Sequence, residues 1–412
     1  MFAATRAEAL ARLQDFIPAS GKYSRERNHV FPYRHENVSR LSPAIRHRLL
    51  TEEEAAAAPL ARYAPSTVEK FTQEIYWRRY WKSWLSLRPQ VWDDYTTELA
   101  ALESDLSSKT KERLQQVCAG DSGLAIMDLF TRELTETGYL HNHARMWWAG
   151  WWIHLEGLPW QLGADFFYRN LLDADPASNT LSWCWVAGLQ TAGKTYLPRR
   201  SNLEKYLPAA LLAEHHQGLE LLENPQPRKI AESVAKPPLS RTQLKQSEPD
   251  STVESLLLIH EEDLSPETSP ITQFQISDIW VVANRDSWQE RKDSSHKQQW
   301  LERALQDTLA RTQQAFPKAR VRENVSTLNA QLAREAGQFE QVLSLRPEVG
   351  PLASTFDHLR EELPELDTRW HWLDREEDVA LRTLATAGFF GFWKKLQTKN
   401  LLPQKSQATP HA

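Results

Sequence analysis

The apolar residues change their spacing once along this chain of 412 residues, and that change limits what it can fold into. Up to about residue 216 they recur at intervals of three and four, the spacing that puts them on one face of an α-helix. Seven helices are expected there, over 5–16, 44–50, 67–85, 92–118, 123–138, 143–156 and 164–172, with Thr67 as a plausible capped start of the third. From about residue 254 the pattern becomes short β-like runs, 255–264, 278–284, 319–323, 339–346 and 368–373, separated by helical stretches at 295–315, 326–336 and 352–363. Strands alternating with helices imply a small parallel α/β sheet, Rossmann-like in layout. Between the two regimes, 217–253 is polar and proline-containing, with no aromatic residue in its central part, and reads as a linker. The expected fold class is therefore multidomain: an all-α domain over 1–216, a linker over 217–253, and an α/β domain over 254–412.

Composition excludes several classes. Lys and Arg number 49 against 54 Asp and Glu, a formal net charge of −5, so binding nucleic acid through bulk charge is disfavoured. The helical part is neutral, with 25 basic and 25 acidic residues, yet Gly21 to Arg48 collects seven cations against Glu26 and Glu36. Two cysteines, Cys118 and Cys184, rule out a disulfide framework and favour a reducing, cytoplasmic setting. No apolar run reaches the roughly 20 residues that span a bilayer; the richest, from Met146 to Leu158, is broken by His154 and Glu156. A soluble protein with no membrane partner is expected.

One letter-perfect motif lacks its context. Gly188 to Thr195 matches the phosphate-binding loop pattern, and the preceding SWCWVA could be a short strand. No helical periodicity follows Lys194, and no acidic-ended strand offers a magnesium partner in this half, so nucleotide hydrolysis is disfavoured. Metal-ligand spacing and nucleophile–base pairs are likewise missing.

The tryptophans carry more information. Of 17 in the chain, seven lie between Trp147 and Trp185. A set of polar residues lies in the wider Trp-rich stretch from Gly138 to Gln190: Asn142 and Arg145, three apart and so on one helical face, then Asp173, Asp175 and Asn179 around Pro176. Charges in such apolar surroundings need partners, since burying one alone is costly. A structural ion pair between two helices would satisfy that need by itself.

This stretch closely resembles the FAD-binding catalytic domain of the photolyase/cryptochrome family, with its Gly-aromatic-x-His-Asn-x-x-Arg-Met block, aspartate-x-aspartate turn, asparagine and Trp-x-Trp. Two earlier segments agree in order: Tyr23 to Arg27 with Ser39-Arg40-Leu41-Ser42-Pro43 resembles the flavin phosphate-binding region, and Glu74-Ile-Tyr-Trp77-Arg78 the Glu-x-x-Trp-Arg substrate segment. The likeness covers roughly residues 5 to 205.

What the resemblance implies can be put residue by residue. Ser39, Arg40, Leu41 and Ser42 would cradle a pyrophosphate at a helix start, assisted by Tyr23 and Arg27. Arg145 and Asp173 would pair beside the isoalloxazine, Asp175 would bond its edge, and Asn179 would face its N5. Glu74 would hydrogen-bond a pyrimidine dimer flipped out of DNA, between walls made by Trp77 and Trp185, with Arg78 and Asn142 on the polar side. Asn142 together with Met146 is similar to the cyclobutane-dimer class. Trp183 and Trp160 match the inner two members of the family's electron-transfer chain, and the outer member is open among Trp147, Trp148, Trp151, Trp152 and Trp92.

The implied activity is light-driven repair of cyclobutane pyrimidine dimers in damaged DNA; the alternative is a blue-light photosensor that signals to a protein partner. Departures from the family pattern are Val38, Phe71, a shortened tail after Trp185, and the order of domains. Family members place an α/β antenna domain first, so the C-terminal α/β part is expected to be a permuted or replaced antenna domain. Its chromophore, if it holds one, is not identified by any residue.

Overall fold

The computed structural model describes residues 2–190, 195–230 and 248–404. In the helical part, α1 (Arg6–Ser20), α2 (Tyr23–Glu26), α3 (Ser42–Arg46) and α4 (Glu52–Ala57) lead to the long α5 (Pro65–Ser86). Then follow α6 (Gln90–Asp105), α7 (Ser108–Cys118), α8 (Ala125–Thr137), α9 (Asn142–Trp151), α10 (Trp160–Asn170), α11 (Pro176–Val186), α12 (Arg200–Tyr206) and α13 (Ala209–Glu214). The rest alternates: β1 (Ser255–Ile259), β2 (Ile276–Ala283), α14 (Arg285–Glu290), α15 (Ser295–Ala315), β3 (Arg320–Val321), β4 (Ser326–Thr327), α16 (Ala330–Ala336), β5 (Gln341–Leu345), α17 (Pro351–Glu362), β6 (Trp370–Leu373), α18 (Glu376–Arg382) and α19 (Phe389–Thr398). No described helix is long and apolar enough to cross a membrane.

The expected parallel sheet is present. Its strand order is β3-β2-β1-β5-β6, with β4 also on β2. Every pairing is parallel, and β1 faces Asp278–Val281 of β2 on one side and Val342–Leu343 of β5 on the other. All five residues of β1 and of β5 are buried, as central strands covered on both faces must be.

Local signals moved several boundaries. Pro65 at the first turn starts α5 after Ala64, so Thr67 lies inside the helix and is not its cap. The single helix expected over 92–118 is two, because the Ser107 side chain accepts from Thr110 N–H and starts a new helix there. The expected helix from 143 to 156 is α9 followed by a π-helical turn over Trp152–Glu156. Ser326 and Thr327 form a strand on β2 rather than a helix start, and α16 begins only after the Asn329 cap. SWCWVA is no strand either: it is the last turn of α11, whose start is fixed by Asp175 as N-cap and Pro176 after it.

The compact units do not follow the boundaries expected at 216 and 253. One comprises Met1–Gly21, Leu41–Pro89 and Leu239–Ala412; the other comprises Lys22–Arg40 and Gln90–Pro238. Charge is the physical reason that α3–α5 join the α/β unit. At the carboxyl edge of the sheet, Glu262 and Asp263 follow β1, Arg375 follows β6, and Asp378 lies in α18. Arg46 grips Glu262 through two bonds of 2.7 and 2.5 Å. Arg48 donates to Asp263 at 2.9 Å and to both oxygens of Asp378 at 2.8 and 2.7 Å. Arg79 of α5 also bonds Asp378, and Arg375 holds Asp263 at 2.7 and 2.8 Å. Burial alone would raise the Asp263 carboxyl, but Arg375 and Arg48 outweigh it and hold it down at about 2.

α19 packs on α5 in the same unit. Its Phe389 ring stacks on Trp77 with centroids 3.8 Å apart and planes 10° apart. Tyr80 lies edge-on to Phe389 at 5.8 Å, Tyr76 meets Trp393 at 6.0 Å, and Trp393 Nε1 donates to Glu69 at 3.3 Å.

Candidate functional site

The second unit is built on tryptophan. Trp147, Trp148, Trp151 and Trp152 of α9 and its π turn are all fully buried. The indole of Trp148 lies 5.0 Å from Trp152, 5.7 Å from Trp151 and 4.9 Å from Phe167 of α10. Trp183 of α11 stands edge-on to this cluster, 6.1 Å from Trp148, 6.4 Å from Trp152 and 5.2 Å from Phe167. It fits only because position 163 is glycine, where a Cβ would come within 2.3 Å of the Trp183 ring. Trp160 instead stacks on Tyr95 at 5.5 Å, and Tyr95 in turn meets Trp92 at 5.4 Å. Both expected relay residues are thus embedded in aromatic rows.

The polar residues singled out above lie on and between the same helices. Arg145, in the second turn of α9, donates from Nη2 to Asp173 at 3.0 Å and from Nε to the Leu140 carbonyl at 2.7 Å. The pair satisfies the expectation that buried charge here has a partner: the Asp173 side chain is 3% exposed and that of Arg145 21%. Asp175 accepts from the Ser178 N–H at 2.7 Å and so fixes the start of α11. One turn on, the Asn179 amide donates to the Ala164 carbonyl at 2.7 Å, which fixes the carboxamide between α10 and α11 while it remains half-buried. Asn142 is exposed at the start of α9 and Met146 is half-buried. Trp185, 38% exposed, packs against Tyr196 at 5.8 Å.

Below α9 lies a polar cluster that the sequence did not disclose. Glu133 of α8 is fully buried and accepts from His35 Nε2 at 2.5 Å and from the Tyr33 N–H at 2.6 Å. His35 stacks near His141 at 6.0 Å. Burial, then His35, His143 and Arg145, push His141 down to about 3, and its Nδ1 accepts the His143 N–H at 3.1 Å. Tyr33, His35 and Arg40 all adopt positive φ, so this loop is held in a conformation that side chains seldom take. Only the unusual density of histidines around it could have drawn attention in the sequence.

The remaining expected residues are divided by the unit boundary. Tyr23, Arg27, Ser39 and Arg40 lie in the Trp-rich unit, with Tyr23 in α2 and the other three just outside helices. Leu41 is buried ahead of Ser42, which opens α3; both belong to the α/β unit. Glu74, Trp77 and Arg78, all half-buried on α5, belong there too. Phe389 was not foreseen against Trp77, although the cluster Phe389, Phe390, Phe392 and Trp393 is evident in the sequence. In the phosphate-loop match, Gly193 and Lys194 lie outside the described residues, and Gly188 is the residue at φ +77° just past α11. Among the described residues no cluster of three or more His, Cys, Asp or Glu could hold a metal ion.

The donor set beside the tryptophans suits the edge of an isoalloxazine. That edge alternates carbonyl acceptors with an imide N–H, and here a guanidinium, two carboxylates and a carboxamide lie on and between helices rich in aromatic residues. The fit is one of chemistry: Arg145 and Asn179 are half-buried rather than sealed.

Comparison with known proteins agrees with this chemistry. Residues 71–208 match the family model described as the FAD binding domain of DNA photolyase. A deoxyribodipyrimidine photo-lyase of Agrobacterium fabrum is 32% identical over 187 residues, 44% of this chain and 37% of that protein. A cryptochrome DASH of Idiomarina loihiensis is 28% identical over 210 residues, 48% of this chain and 44% of that protein. A bacterial class III photolyase from Agrobacterium tumefaciens, of known crystal structure, is 27% identical and covers 49% of this chain and 42% of its own, at a TM-score of 0.40. The match spans less than half the length of these relatives. Its helical part is thus similar to the FAD binding domain found in photolyases and in cryptochrome DASH proteins.

Proposed function

We propose that this protein binds FAD and uses it for light-driven splitting of cyclobutane pyrimidine dimers in DNA. The observation that carries the reading is the Arg145–Asp173 pair, 3.0 Å long, on the same run of helices as Asp175, Asn179 and the buried tryptophans, inside the segment that matches the FAD binding domain. Arg145 and Asp173 would orient the ring system, Asp175 would bond its edge, and Asn179 would lie towards N5. Tyr23, Arg27, Ser39, Arg40, Leu41 and Ser42 would hold the phosphates. Reduced FAD, when bound and excited, supplies one electron. The chain's own part is to hold the ring dry, to position the lesion with Glu74, Trp77, Arg78, Asn142, Met146 and Trp185, and to pass electrons inward through Trp183 and Trp160. A second chromophore in the α/β part, as a replaced antenna, belongs to the same reading.

A photosensor acting on a protein partner is the second reading, and one observation favours it: the ring face of Trp77 is already stacked against Phe389. A cytoplasmic location fits both. Repair under blue light of an oligonucleotide carrying one thymine dimer, by reduced protein with quantified flavin, tests the proposal. Repair should occur with roughly stoichiometric FAD, and Glu74→Ala should lower its yield while flavin content stays unchanged. Bound, photoreducible FAD with no repair would leave the sensor.

A further inference from the structure

Phe390 is the most exposed large apolar side chain described, at 69%. It is the second residue of α19, next to the Phe389 that covers Trp77, and its own ring stands edge-on to Trp77 with centroids 6.5 Å apart. The rest of the apolar face of α19, Phe389, Phe392, Trp393 and Leu396, is buried. Phe390 is therefore not the visible part of a loose helix: the helix is docked and one phenyl ring is left outside.

The charge along the chain on either side of it is one-sided. The chain carries −5 overall, yet residues 379–412 hold five cations, Arg382, Lys394, Lys395, Lys399 and Lys405, and no acidic residue. Lys394 lies one helical turn after Phe390 and is exposed, so the two share a face. Lys395 is tied back to the Leu384 carbonyl at 3.2 Å and the Thr386 hydroxyl at 3.1 Å, which fixes a second ammonium at the start of α19. An exposed aromatic on a docked helix with cations close to it in the chain is what a sequence-tolerant single-strand contact uses, a base on the ring and phosphates on the lysines.

We propose that α19 is a contact surface for single-stranded nucleic acid, with Phe390 stacking on an unpaired base and Lys394 and Lys395 meeting the flanking phosphates. The inference rests on the repair reading for its choice of nucleic acid as partner. It moves the exposed stacking surface of this region from Trp77 to Phe390. An anionic membrane would also attract the lysines, but an interfacial helix needs its whole apolar face free, and here only one ring of that face is.

The test is binding of an undamaged fluorescent oligothymidylate to the full-length protein in the dark, with phosphatidylserine vesicles in parallel. Phe390→Ala should weaken oligonucleotide binding by roughly five- to a hundredfold, and Phe390→Tyr should keep it. Lys394→Gln should lower the slope of log affinity against log salt by about 0.7. Equal binding by Phe390→Ala and the unmodified protein, no binding by either, or vesicle binding in place of oligonucleotide binding would overturn the proposal. The two readings fail separately: absent repair with Phe390-dependent binding intact removes only the repair reading, and repair with Phe390-independent binding removes only this one.

Discussion

Gly163 shows how much one residue decides in the Trp-rich unit. A methyl group there would lie 2.3 and 2.6 Å from atoms of the Trp183 ring and 2.9 Å from Trp152, all in rigid, buried rings. Gly163→Ala should therefore destabilise the protein by about 1–3 kcal/mol, the usual cost of overpacking, read as a lower denaturation midpoint by tryptophan fluorescence. That Arg145 needs a carboxylate was legible in the sequence because a charge among tryptophans must be paired; that the carboxylate is Asp173 rather than Asp175 is what the family resemblance implies. The Phe389–Trp77 stack was not legible. Nothing local to either residue specifies the other, and a phenyl ring needs no partner of particular chemistry.

At the scale of elements, caps and prolines did more than periodicity. SWCWVA alternates as a strand would, yet Asp175 and Pro176 commit the preceding residues to a helix that runs through it. The long α15 has the ends expected from the sequence, Ser295–Ala315, and the structure adds a Ser294 cap at its start. The junction of α3, α5 and α18 rests on a different force. Asp378 serves Arg48 and Arg79 together, and both guanidiniums are buried. Asp378→Ala should cost about 3–5 kcal/mol in urea unfolding, since it leaves buried cations without their shared carboxylate. A loss below about 1 kcal/mol would mean that Glu52 and Asp263 suffice for them.

For the molecule as a whole, the interleaved units make a prediction about fragments. The linker expected at 217–253 invites a cut that would release residues 1–216 as an FAD-binding piece. That piece would keep Arg46, Arg48 and Arg79 but lose Glu262, Asp263 and Asp378, the carboxylates that hold them. It would also expose Trp77, Tyr76 and Tyr80 where α19 now covers them. Residues 1–216 alone should melt without a cooperative transition and be cleaved rapidly by protease between residues 41 and 89, while the full chain resists there. A sharp melt of the fragment would show that the helical part is independent after all.

The sequence by itself determined the helical and α/β regimes, the parallel sheet, the likeness of the helical part to a known FAD binding domain and the identity of the residues proposed for its cofactor. These follow from local signals: spacing of apolar residues, caps, and a motif whose members lie close in the chain. Only the tertiary structure decided which helices go with which unit, what lies on Trp77, and which aromatic ring is left in solvent. Those depend on charges and rings far apart in sequence, and a buried guanidinium or an indole face accepts any partner of the right type that the fold brings to it.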